Sequence, residues 1–168
     1  CTMSLIGFDA QYESSYFFKK IGKVDGLLPF KPRGSTALLD AMGRAITSTR
    51  EEIEGLKESK KPNKVLMVIQ TDGFENASRE YNSESVKSLI SECKALGWDF
   101  MFLGAGEEFL EIAKEVGISK GTMSSYNSNS RAYANVTDKV KKYRGSNIAA
   151  RSATLDFSDA DRAELNKV

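Results

Sequence analysis

The most apolar run in the chain, Val65-Leu66-Met67-Val68-Ile69, ends in Thr71-Asp72-Gly73. A short apolar run without polar alternation predicts a strand buried on both faces. Amphipathic helices flank it. One carries Leu38, Leu39, Met42 and Ile46 before the run; the other carries Val86, Leu89, Ile90, Cys93 and Leu96 after it, closed by Gly97. Strands alternating with such helices imply parallel strands and right-handed crossovers. The expected fold is therefore α/β: a Rossmann-like, doubly wound, mostly parallel sheet with helices on both faces and Val65–Ile69 as its central strand.

In open α/β sheets ligands bind beyond the carboxyl ends of the strands. Asp72 falls just past such an end. A second loop, Pro32-Arg33-Gly34-Ser35-Thr36, turns directly into the first helix. Pro32 biases Lys31 away from helical angles and Gly34 permits a sharp turn. Ser35 or Thr36 is placed to cap the helix. A Thr hydroxyl on one loop and an Asp carboxylate on the other are oxygen ligands suited to a hard cation. The structural alternatives are a helix cap for Thr36 and a turn-forming role for Asp72.

Gly34-Ser35-Thr36-Ala37-Leu38-Leu39-Asp40-Ala41, followed by Gln70-Thr71-Asp72-Gly73, resembles two of the three loops of a von Willebrand factor type A domain. The resemblance runs from about Met3 to about Tyr143. It is closest to the small stand-alone A domains of bacteriophage and prophage genomes. There a run like Ser4-Leu5-Ile6-Gly7-Phe8-Asp9 precedes the Pro-Arg-Gly-Ser-Thr loop, and one like Phe102-Leu103-Gly104-Ala105-Gly106 follows the Thr-Asp-Gly strand. The resemblance implies a metal-ion-dependent adhesion site in which Thr36 and Asp72 hold Mg2+ or Mn2+ and a partner protein's carboxylate completes the coordination. The family's first metal loop, Asp-x-Ser-x-Ser, has no counterpart: Asp9-Ala10-Gln11-Tyr12-Glu13 does not match it. Thr2–Phe8 matches the family's second strand, so the expectation is that a first strand, its helix and that loop lie upstream. They would fill a slot between the strand ending at Phe8 and Val65–Ile69, and would leave residues 1–145 as the A-like domain and 146–168 as a tail.

Composition narrows the function classes. The 168 residues fit one domain with a real core. A net charge of +1 predicts neither a nucleic-acid nor a membrane partner, and no run approaches the roughly 18 apolar residues of a spanning helix. The chain has no His, which excludes Ser-His-Asp and Cys-His machinery. Cys93 falls on an apolar helical face as a small core residue, so a bridge to Cys1 is not expected. The expected location is cytoplasmic or virion-associated.

Along the chain, strands are expected at Thr2–Phe8, Tyr16–Ile21, Val65–Ile69, Trp98–Leu103 and Thr122–Tyr126. Helices are expected at Ser35–Ser59, Ser83–Leu96, Glu107–Val116 and Arg131–Tyr143, the last capped by Ser130 after a polar loop at Asn127–Asn129. A short one starts at Ser158. Tyr12, Tyr16, Phe17 and Phe18 form an aromatic cluster assigned to the core. Asp40, one turn into the first helix, is expected to stabilise the helix start; Glu75 and Asn76 are assigned to a solvated loop. Gly104-Ala105-Gly106 is a tight turn, lacking the third glycine or P-loop Lys of a nucleotide site. Three functions fit: a protein-binding, non-enzymatic domain with a metal-dependent docking site; a phage structural or assembly protein using the same scaffold without metal; and a Rossmann-like hydrolase using Asp72. The last has the least in its favour, with no His and no phosphate loop.

Overall fold

The computed structural model describes residues 1–26, 33–106, 109–126 and 130–166. Lys31 and Pro32, Glu107 and Glu108, and Asn127–Asn129 lie outside the described residues. Two sheets form. Strands β1 (Thr2–Phe8) and β2 (Tyr12–Lys20) make an antiparallel hairpin. Strands β3 (Val65–Thr71), β4 (Trp98–Gly104) and β5 (Met123–Ser125) make a parallel sheet in the order β3-β4-β5. Each parallel connection carries a helix: α2 (Ser83–Ala95) between β3 and β4, and α3 (Leu110–Glu115) between β4 and β5. Helix α1 (Leu38–Gly55) links the hairpin to β3, and α4 (Ser130–Gly145) and α5 (Asp159–Leu165) follow β5.

The period of 2 along β4 sorts its side chains into two cores. Phe100 and Phe102 join Leu38, Met42, Ile46, Val86, Ile90 and Cys93, the apolar stripes of α1 and α2. Met101 and Leu103 join Tyr143 of α4, Leu155, Phe157 and Leu165. Helices thus cover both faces of the parallel sheet, and the chain is mixed α/β. Cys93 is a free thiol in the first core and Cys1 is exposed and free. No helix among the described residues is long and apolar enough to cross a membrane.

Two expectations are corrected. Val65–Ile69 is not central: β4 holds the middle of the sheet, buried throughout, and β3 is an edge strand. Val68 is 41% exposed although Met101, opposite it in register, is 0% exposed. The apolar run predicts burial on both faces; on the second face Leu66 joins the second core and Tyr143 reaches the Val65 carbonyl, but Val68 is left uncovered. Nor does the aromatic cluster form core. Phe17 is exposed and Tyr12, Tyr16 and Phe18 are only half-buried. The register shifts beside Leu5, and Phe18 adopts φ 51°, so the β1–β2 ribbon is irregular where those rings lie.

Residues 146–166 are docked onto the second face. Buried Asp99 on β4 accepts from Arg151 Nε at 2.8 Å and from Tyr143 Oη at 2.9 Å. Ser158 caps α5 through a reciprocal box with Asp161. Asp161 also takes the amine of Lys139, a buried lysine on α4, at 2.9 Å. Burial raises the Asp161 pKa, but Lys139, Asn135 and the Ser158 cap outweigh it and hold the carboxyl well below its usual range.

Truncating Asp99 strands the Arg151 guanidinium in a largely buried place. Asp99→Ala is expected to cost about 3–5 kcal/mol in chemical denaturation, and to speed proteolysis after residue 146.

Candidate functional site

The chemistry-bearing residues gather where α1 begins and β3 ends. Thr36 is not the helix cap, nor is Ser35. Helix α1 starts at Leu38 with Ala37 in the cap position, and no side chain of its own caps it. The backbone before it pairs with the loop after β3. Thr36 N–H donates to Asn76 Oδ1 at 2.9 Å, and Asn76 N–H donates to the Thr36 carbonyl at 3.0 Å. Ala37 N–H donates to the Asp9 carbonyl at 2.8 Å, which ties the same point to the end of β1.

The free N–H groups of the first turn of α1 are met from the 73–82 loop. Leu39 N–H donates to Glu75 Oε2 at 2.8 Å, and Asp40 N–H to Ser78 Oγ at 3.0 Å. Asp40 reaches the other way. Its buried carboxylate accepts from the backbone N–H groups of Arg79, Glu80 and Tyr81 at 2.8–2.9 Å. Glu75, expected in solvent, is half-buried and also accepts from Ala77 N–H, Ser78 N–H and Ser78 Oγ. Its role was invisible to local pattern because its partner on α1 is 36 residues away. Burial raises the pKa of Asp40 and Glu75, but the converging backbone donors outweigh it and lower both. Buried Asp9 is lowered in the same way, burial being outweighed by Gln11 N–H and the Arg33 guanidinium, whose Nε is 2.7 Å from Oδ2.

These carboxylates are engaged; Asp72 is not. Thr71, not Asp72, closes the turn after β3: its hydroxyl donates to the Gly73 carbonyl and accepts from Gly73 N–H. Asp72 stands exposed, with no hydrogen bond or ion pair among the described residues. The Thr36 hydroxyl is likewise uncommitted there. Both line one cleft of about 180 Å3, whose walls are Ile6, Gly7 and Phe8 of β1 and Gln70 and Thr71 of β3. Gly73 makes this approach possible. A Cβ at that position would lie 2.2 Å from Thr36 Oγ1, so any side chain there would displace the hydroxyl.

The cleft therefore offers a hydroxyl and a carboxylate, the oxygen donors a hard cation prefers. No group of three or more His, Cys, Asp or Glu arranged for a metal occurs among the described residues. The donor set fits Mg2+ or Mn2+ in kind and would leave most positions to water or to a ligand. Comparison of the chain with family models, with curated proteins and with solved structures returns no match.

Two predictions separate scaffold from site. Asp40→Ala leaves three N–H donors without their acceptor and is expected to lower unfolding free energy by about 3 kcal/mol. Asp72→Ala, at an exposed and unpartnered position, is expected to stay within about 0.5 kcal/mol of the parent; denaturant titration of both variants checks this. The pH dependence has a definite sign. Asp40 and Glu75 have folded pKa values below their unfolded ones, so their stabilisation is full above about pH 4.5 and falls away as pH drops through the folded values. Thermal melts from about pH 6 down to pH 2 are expected to show that acid loss, with a shallower slope in Asp40→Ala.

Proposed function

We propose that the chain is a protein-docking domain of von Willebrand factor A type, Rossmann-like in its winding, and acts by binding, not catalysis. Thr36 and Asp72 hold one Mg2+ or Mn2+ at the mouth of the cleft, and the cation in turn takes a carboxylate from a partner protein. The observation that carries this reading is the pairing of an uncommitted hydroxyl and an uncommitted carboxylate in one cleft, among neighbouring acids that are all engaged. A bound divalent ion would supply an electrophilic docking point for an acidic side chain. The chain's own part is to fix the two oxygens. Asn76 holds the Thr36 backbone, the Thr71 turn directs Asp72 outward, and Gly73 leaves room between them.

A second reading has an observation of its own. The scaffold serves as a structural or assembly part, of a phage particle for example, and docks partners without metal. The edges of β1 and β3 that no strand among the described residues pairs favour it, because backbone pairing needs no ion.

Calorimetric titration with Mn2+ separates the two. The metal reading predicts one weak site, with Kd on the order of 10⁻³ M for so few protein ligands, abolished by Asp72→Ala and weakened by Thr36→Val. Heat unchanged by Asp72→Ala, or no heat at all, rejects it.

A further inference from the structure

Asp72 is followed by a residue without a side chain, and the pair joins β3 to the loop that holds α1. The Asp72 carboxylate is exposed and, among the described residues, has no hydrogen bond or ion pair, so no partner fixes its rotamer. Rotation about its Cα–Cβ bond brings Cγ against the main-chain nitrogen of Gly73, which has no Cβ to shield it. The neighbouring acids are withheld from such an approach. Asp40 is held by three backbone N–H groups, and Asp9 by Gln11 N–H and Arg33. Each of these also precedes an alanine, whose Cβ crowds the nitrogen.

The loop around Gly73 has no slack. Gly73 N–H donates to Thr71 Oγ1 at 3.2 Å, and its carbonyl accepts from the same hydroxyl at 3.0 Å. On the other side a Cβ at Gly73 would lie 2.2 Å from Thr36 Oγ1. Three residues on, Asn76 is tied to Thr36 in both directions. A main chain lengthened here by one bond, about 1.5 Å, cannot keep both the Thr71 bracket and the Asn76 pairing.

We propose that Asp72-Gly73 is a modification site at which the main chain rearranges spontaneously to isoaspartate, and that the rearrangement releases the loop after β3 from the start of α1. The Gly73 nitrogen gives up its proton and bonds to Asp72 Cγ. A carboxyl oxygen leaves as water, which closes a cyclic imide. Water then opens the imide. Breaking the new bond to Cγ restores aspartate. Breaking the bond to the main-chain carbonyl carbon of Asp72 leaves the chain running through Cβ and Cγ, with that carbonyl carbon now a free carboxylate. One water is lost and one is taken up, and no oxidant, reductant or cofactor takes part. The reaction needs no cation, so it is followed with a chelator present, and its outcome is separate from that of the metal reading.

The whole chain is aged in warm neutral buffer, and its isomerised fraction is separated by ion exchange. Isoaspartate is located in digests by mass spectrometry, from fragments cut between Cα and Cβ. The second Asp-Gly pair, Asp25-Gly26, whose carboxylate pairs with Lys19 Nζ at 3.1 Å, serves as the internal control of conditions. Isoaspartate is expected at residue 72 at a rate about tenfold or more above that at Asp9 or Asp40. It is lost in Asp72→Glu, which keeps an exposed carboxylate but would have to close a larger ring. In the isomerised fraction the amides of Thr36, Leu39 and Asn76 exchange about tenfold or more faster, and those of α5 are unchanged. Absence of isoaspartate at residue 72, whether or not it forms at residue 25, overturns the inference. So do equal rates at residues 72, 9 and 40, and so does isoaspartate at residue 72 with exchange at Thr36 and Asn76 unchanged.

Discussion

Two carboxylates hold the start of α1 against the loop after β3, and the rest of the site hangs on them. Asp40 gathers the N–H groups of Arg79, Glu80 and Tyr81; Glu75 answers with Leu39 N–H and the Ser78 hydroxyl. Each side supplies the acceptors for the other side's orphan donors, so neither segment is satisfied without the other. The pair is more than a cap. It sets the height of Thr36 against Gly73, brings the Tyr81 ring onto Gly43, where a Cβ would lie 2.3 Å from the ring, and lets Arg44 reach Glu80. Charge-assisted bonds of this kind are short and strong in a shielded place. Among the described residues they leave Asp72 as the carboxylate at this corner with no hydrogen-bond or ion-pair partner.

The elements were legible where period and punctuation agreed. Thr2–Phe8, Ser83–Ala95 and Trp98–Gly104 lie within a residue of expectation, because their apolar spacing and their Gly and turn signals are local. The Ser158 cap was legible for the same reason: its partner, Asp161, is three residues on. What local pattern could not carry was long-range satisfaction. Asp40 was expected to serve its own helix and instead serves residues about 40 positions away. Glu75 and Asn76 looked like a wet loop because Phe74 and Ala77 beside them follow neither a helical nor a strand period. Buried Lys139, matched by Asp161 and the Asp156 carbonyl, has no sequence signal that separates it from the exposed lysines of α4. The order of strands was also beyond local reach: an apolar run announces burial, not which neighbour provides it.

That last point bears on function. Among the described residues β3 has the composition of an interior strand and the position of an edge, and the end of β1 walls the same cleft. Under the proposed reading, an oxygen-liganded cation at the mouth of the cleft would give selectivity for an acidic group. Fold likeness alone would not carry this; it rests on Thr36, Asp72 and the two strands beside them.

The central claim is that Thr36 and Asp72 together form a cation site at the mouth of the cleft. Paramagnetic broadening by Mn2+ in amide NMR spectra tests it directly, since the effect falls steeply with distance from the ion. The account predicts that substoichiometric Mn2+ broadens the amides of Thr36, Asp72 and Gly73 first, then those of Gly7 and Phe8, and leaves α5 sharp. Broadening centred on the exposed acids of α1, or spread evenly over the surface, would contradict it.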